Sequence, residues 1–191
     1  MSWVSGNRYL SKSEMENNAK EFYGVFFQYG ATLNAISAML GNIQSESGIN
    51  PGIWEGLKPF AGGYGLVQWT PYTKYSEWAG SDWQDNGPKE CERIIYEAEN
   101  GLQWFENPEA PTPTPPLTFP EFLKSELDVV TLANYFLWYY EHPAVTIQPE
   151  RGEQAKVWYK FLSGVDPPTP TPTSKRKMPI WMMVRRNDIL W

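Results

Sequence analysis

The sequence predicts a mainly α-helical chain carrying one small β-hairpin, and three observations lead to that expectation. Apolar residues recur at spacings of three and four through most of the first 164 residues. No region is rich in alternating, strand-like patterns, and no internal repeat is present. Two Pro/Thr-rich stretches, 107–116 (NPEAPTPTPP) and 166–172 (DPPTPTP), break the helical pattern, because consecutive prolines favour extended, solvated backbone.

The elements follow in order. Ser13 with Glu16 fits a capping box, and Met15, Ala19, Phe22 and Phe26 form the apolar stripe of a first helix that runs to Gly30. Leu33, Ile36, Met39, Leu40 and Ile43 continue the period in a second helix, stopped by Ser47-Gly48 and Asn50-Pro51-Gly52. Residues 61–69 (AGGYGLVQW) are glycine-rich and aromatic, and read as a short hairpin or irregular loop. Thr70 and Pro71 fit the N-cap and first position of a third helix, with Tyr75 and Trp78 inward. Cys91, Ile94, Ile95, Ala98 and Leu102 mark a fourth, and Thr118 with Glu121 caps a short fifth. Val130 to Tyr140 gives an aromatic sixth that must stop near His142-Pro143. Ala155, Trp158, Phe161 and Leu162 complete a last helix before Gly164. This divides the chain into one domain over 1–164 with a surface loop at 107–117, a Pro/Thr linker over 165–174, and a tail over 175–191.

Composition narrows the chemistry. The 191 residues are 41% hydrophobic and 20% charged, which suits a folded domain and excludes uniform disorder. One Cys and one His leave no basis for a disulfide framework, a zinc site or a Ser-His-Asp triad, so no metal or other cofactor is expected. The work falls to carboxylates, amides and hydroxyls. The net charge is −6, distributed as about +3 over 165–191 and −9 over the rest, and an acidic body argues against nucleic acid. No apolar run reaches the roughly 18–20 residues of a membrane span, and the first residues do not read as a signal peptide. Delivery to a site outside a cell would then need another route. Aromatic residues make up 16% of the chain, which for any given ring fits core packing first, while several together would also suit a groove that binds sugar rings.

Glu46 stands out by position. The series Ile36, Met39, Leu40, Ile43, Glu46 carries the apolar stripe one further step, so the carboxyl group points toward the packed side. It also sits in the last turn, where the helix dipole is negative, and both effects favour the protonated form that a general acid requires. The alternative is that Glu46 lies just past the helix and turns to solvent.

Residues 38–52 (AMLGNIQSESGINPG) and 62–71 (GGYGLVQWTP) resemble the phage tail lysozyme family, which is similar to goose-type lysozymes and lytic transglycosylases. The likeness continues through Arg93-Ile94-Ile95, Tyr140-Glu141-His142-Pro143-Ala144 and Gln148-Pro149-Glu150-Arg151-Gly152 to Trp158-Tyr159. The resemblance implies a lysozyme-like helical bundle around a central helix, with the hairpin as one wall of a substrate cleft. It implies cleavage of the β-1,4 bond between N-acetylmuramic acid and N-acetylglucosamine in peptidoglycan, with Glu46 as the catalytic acid. Gln68 would bind the sugar and Ser47 would help orient the acid, while Tyr64 and Trp69 are candidates for the groove or for structure alone. For a second carboxylate, Glu141 at the end of the aromatic helix is the first candidate, and Glu55 ranks below it. Glu150 and Arg151 read as a local cap or ion pair of the last helix.

The expected partner is therefore the glycan strand of the bacterial wall, and the expected location is a phage tail or virion acting at that wall. Lys175-Arg176-Lys177, an apolar stretch with Trp181, and Arg185-Arg186 suggest that the tail contacts either phage tail proteins or a membrane surface. A non-catalytic wall-binding or tail-assembly module, a lytic transglycosylase and a late-lysis endolysin are the rival readings.

Overall fold

The first helix, α1 (Lys12–Tyr29), is capped by Ser11, two residues ahead of the predicted box. The segment SKSEME contains two overlapping candidates with the same spacing. Ser11 prevails because Glu14 accepts from the Ser11 backbone N–H at 2.8 Å and is held from the other side by Arg8, whereas Glu16 turns toward Lys12. The structure is a computed structural model and describes residues 2–112 and 115–166. The tail over 175–191 and most of the linker over 165–174 lie outside the described residues. Ala19, Phe22 and Phe26 are fully buried, as their spacing predicts, and burying each of the two phenylalanines contributes about 1.5–3 kcal/mol.

The second helix, α2 (Leu33–Ser47), is buried without a break from Ala35 to Ile43. A helix buried on every side is the centre of its domain. It packs against α6 (Val129–Phe136), α7 (Pro149–Leu162) and α1. Gly41 sets the spacing to α7, since a β-carbon there would lie 2.4 Å from the Arg151 carbonyl oxygen and 2.8 Å from Ala155 Cβ. Thr32 caps the start, and Gly48 ends the helix in the left-handed conformation.

After α2 the chain folds into an aromatic loop. Trp54, Tyr64, Tyr72 and Trp83 pack ring against ring with centroids 4.7–5.9 Å apart. Most of the rings here thus serve packing. The hairpin expected over 61–69 is reduced to two isolated bridges, Trp54 with Tyr64 and Tyr64 with Trp69. Gly65 (φ 79°) and Gln68 (φ 51°) reverse the chain within four residues, leaving no length for a ladder.

The third helix, α3 (Thr73–Ala79), begins two residues after Pro71 rather than at it, with Tyr75 buried and Trp78 partly so. α4 (Gly87–Glu99) is capped by Asn86 and ends before Leu102, which is half exposed. α5 (Phe119–Lys124) carries the predicted Thr118–Glu121 capping box. α6 stops at Phe136 and widens into one π-helical turn, Leu137–Glu141, closed by His142 in the left-handed region. The fold among the described residues is mainly α, as predicted. No helix among them is long and apolar enough to cross a membrane.

Candidate active site

Two helix ends deliver carboxyl groups to one cleft. Glu46 occupies the last turn of α2, and Glu141 is the last residue of the π turn that extends α6. π turns recur at functional sites because the extra residue re-aims the side chains that follow it. Both acids line a cleft of about 350 Å³ whose other side is formed by Val67, Gln68, Trp69, Thr70 and Lys74. Glu97, Gln103, Tyr140 and Pro143 complete the lining.

The two acids sit in different surroundings. Glu46 Oε1 accepts a hydrogen bond from Arg151 Nη2 at 2.5 Å, and its side chain keeps 23% of its exposure. Arg151 is 8% exposed and held throughout its length: Nε donates to Gln148 Oε1 at 2.7 Å, and Nη1 donates to the Asn42 carbonyl and side-chain oxygens at 3.4 and 3.3 Å. Glu141 has no such partner, and its buried Oε1 makes no hydrogen bond. Burial, reinforced by the neighbouring charge of Glu46, pushes the Glu141 carboxyl well above the usual carboxylate range, with Arg151 opposing.

The wall opposite is a built turn. Gln68 Nε2 donates to the carbonyls of Gly65 at 2.9 Å and Ile53 at 3.3 Å, which fixes the amide and leaves its oxygen as the group able to meet a ligand. Trp69 stacks on Tyr75 with centroids 4.6 Å apart and donates from Nε1 to Glu97 Oε2 at 2.9 Å. Beneath the turn, Glu90 is fully buried. Its Oε2 accepts from the Leu66 N–H at 2.7 Å, and Oε1 has no partner. Gly65 has to be glycine here, because it adopts a positive φ and its missing β-carbon would fall 2.6 Å from the Glu90 carboxyl group.

Glu97 ties both walls to α4. One of its oxygens accepts from Trp69 Nε1 and from Tyr140 Oη at 2.7 Å, and the other is paired with Arg93 at 2.8 Å. Tyr140 precedes Glu141, so this one carboxylate positions the aromatic wall and the base of the π turn together.

A sequence model of the phage tail lysozyme family matches residues 17–162. The chain belongs to that family. It is also 44% identical over 166 residues to morphogenesis protein 1 of Bacillus phage B103, an alignment that covers 85% of this chain and 44% of that protein. The chain thus spans less than half the length of this relative.

Against the expectations for a phage tail lysozyme, the structure brings Glu46, Glu141, Gln68 and Trp69 to one cleft. Ser47 lies elsewhere. Its hydroxyl donates to the Ile43 carbonyl at 3.1 Å and accepts from the Asn50 N–H, so both partners are backbone. Tyr64 is buried in the aromatic loop, where its hydroxyl accepts from the Asp85 N–H at 2.8 Å. Glu55 accepts from the Gly63 N–H at 2.8 Å and is not part of the cleft lining. Arg151 is the residue that sequence reasoning placed in the wrong partnership: it pairs with Glu46, 105 positions away, rather than with its neighbour Glu150. Glu97 was not singled out, although Arg93 and Glu97 at a spacing of four beside the apolar stripe of α4 offered a signal. No cluster of metal-ligating residues occurs among the described residues.

Proposed function

We propose that this chain is a muramidase that cleaves the β-1,4 bond between N-acetylmuramic acid and N-acetylglucosamine in bacterial peptidoglycan. The observation that carries the reading is the convergence of two carboxyl groups from separate helix ends on one open cleft, one of them paired with a guanidinium and the other unpartnered. Acid-catalysed glycoside cleavage needs a carboxyl group that delivers a proton to the leaving oxygen, and in most glycosidases a second carboxyl group stands beside the developing positive charge. Simple binding does not require a carboxyl oxygen that is buried without a partner at the edge of the cleft, as Glu141 Oε1 is. The family resemblance assigns the catalytic acid to Glu46, with Glu141 as the second carboxylate.

The opposite wall supplies the binding surface. The fixed amide of Gln68 suits a sugar hydroxyl or acetamido group, and Trp69 adds apolar surface to the same wall. Membership of the phage tail lysozyme family and likeness to a phage morphogenesis protein support action from a virion on the host wall during entry. The test is release of soluble glycan from purified peptidoglycan by wild type, Glu46→Gln and Glu141→Gln, each checked for an unchanged melting transition. Both variants should lose at least about 100-fold in rate. Wall binding without glycan release by the wild type would refute the enzyme in favour of a binding module.

A further inference from the structure

We propose that Lys74 is a specificity-determining residue of the cleft, and that its ammonium group binds a carboxylate carried on the C3 arm of a muramic acid residue. The inference rests on the muramidase reading and names the feature by which the cleft tells peptidoglycan from an unsubstituted N-acetylglucosamine polymer.

The charge of the cleft carries the first part. Among the described residues its lining holds three carboxyl groups, Glu46, Glu97 and Glu141, and one basic side chain, Lys74. Arg151 and Arg93, which pair with Glu46 and Glu97, are not part of that lining. The body of the chain is itself acidic, at about −9 outside the tail. An anionic group entering such a cleft is repelled by the body, and a fixed site of opposite charge decides where it sits.

The state of Lys74 carries the second part. Its backbone is held in place: the Lys74 N–H donates to the Pro71 carbonyl at 3.0 Å, and the next residue, Tyr75, is buried and stacks on Trp69. Its side chain is not spent on the protein. Lys74 is exposed, and among the described residues its ammonium group takes part in no ion pair, hydrogen bond or ring contact. A cation anchored at its base and unpaired at its tip can take up a ligand without first breaking a contact.

The chemistry of the strand supplies the matching group. Its two sugars share the acetamido group on C2 and differ at C3, where muramic acid alone bears a lactyl ether. That arm ends in a carboxylate or, where a stem peptide is attached, continues into a chain with carboxylates of its own. The acetamido group and the arm stand on adjacent ring carbons and project from the same edge of the sugar. Gln68 and Lys74 share one wall of the cleft. A muramic acid whose acetamido N–H donates to the Gln68 oxygen therefore turns its C3 arm along the wall that carries Lys74.

The assignment is tested with three ligands of equal sugar number. They are glycan strands bearing stem peptides, the same strands stripped by an amidase so that the lactyl carboxylate is free, and chitin oligomers, which have no C3 arm. Dissociation constants are measured by tryptophan fluorescence for wild type, Lys74→Gln and Lys74→Arg, and KM and kcat on both kinds of strand. Lys74→Gln should weaken binding and raise KM by about 3–10-fold on strands carrying the carboxylate, with kcat within about twofold and chitin binding unchanged. Lys74→Arg should restore most of the loss, and high salt should shrink the difference between wild type and Lys74→Gln. A loss confined to peptide-bearing strands assigns the stem-peptide carboxylate, one confined to stripped strands assigns the lactyl carboxylate, and a loss on both assigns either. Equal loss on all three ligands, or loss on none, overturns the role of Lys74 and leaves the muramidase reading intact as long as wild type cuts the strands. Wild type that binds strands without cutting them overturns the muramidase reading, while the binding comparison still decides the role of Lys74.

Discussion

Replacing Glu97 by glutamine tests whether the cleft is held open from below. The glutamine oxygen can still accept from Trp69 Nε1 and Tyr140 Oη, but its amide nitrogen meets Arg93, donor against donor. The Arg93 and Glu97 side chains are 10% and 6% exposed, so the interaction lost is a buried ion pair rather than a surface one. Removing one partner of a buried pair costs about 3–5 kcal/mol, against about 0–1 kcal/mol for an exposed pair. In a domain of this size each kcal/mol lowers the melting temperature by about 2–4 °C, so the expected fall is about 6–20 °C. Urea unfolding followed by tryptophan fluorescence measures the same loss directly. Adding Arg93→Met should recover part of it, because the stranded cation disappears. A single-variant loss below about 1 kcal/mol, or no recovery in the double variant, would refute the argument that Glu97 and Arg93 form a buried anchor.

Three further outcomes follow from the fold. Burial raises the Glu90 carboxyl well above its ordinary range, with the Leu66 N–H opposing and Asp85 adding to the rise. The neutral acid therefore contributes stability fully present below the unfolded value of about 4.3 and lost as pH climbs through the folded one. Glu90→Gln should unfold like wild type in acid and be more stable above neutrality, and parallel stability curves across that range would contradict this. Gly41→Ala places a β-carbon 2.4 Å from the Arg151 carbonyl oxygen, so denaturant unfolding should show a loss of about 1–3 kcal/mol together with reduced glycan release. Full stability would show that α7 can move aside freely. Ser11→Ala should cost about 1 kcal/mol by thermal unfolding while Ser13→Ala costs nearly nothing, and the reverse order would move the helix cap back to Ser13.

The parts of the fold that depend on local periodicity were legible in the sequence. The stripe Ile36, Met39, Leu40, Ile43 marked α2, though not its burial on every side, and one further step placed Glu46 at the helix end. Glu141 was legible as the last residue before a His-Pro break. Pairings across the chain were not. Arg151 meets Glu46 because Gly41 and Ala155 let two backbones approach, and spacing within α7 carries no information about a partner 105 residues away. Ser47 and Tyr64 show the converse limit: next to site residues in sequence, they turn inward because helical and turn geometry sends neighbours in different directions. The hairpin failed for a local reason, since two positive φ angles in four residues build a turn and leave no strand.

The central claim, cleavage of the glycan by the carboxyl groups of this cleft, is tested most directly by the chain ends that the wild-type protein leaves on purified peptidoglycan. Released muropeptides would be analysed by mass spectrometry before and after borohydride reduction, beside digests made with Glu46→Gln and Glu141→Gln. The account predicts muramic acid ends that gain two hydrogens on reduction, present with wild type and absent with both variants. Ends of 1,6-anhydro type would replace water by the sugar's own hydroxyl as the group that adds to C1. Intact glycan in the wild-type digest, or equal cleavage by all three proteins, would contradict it.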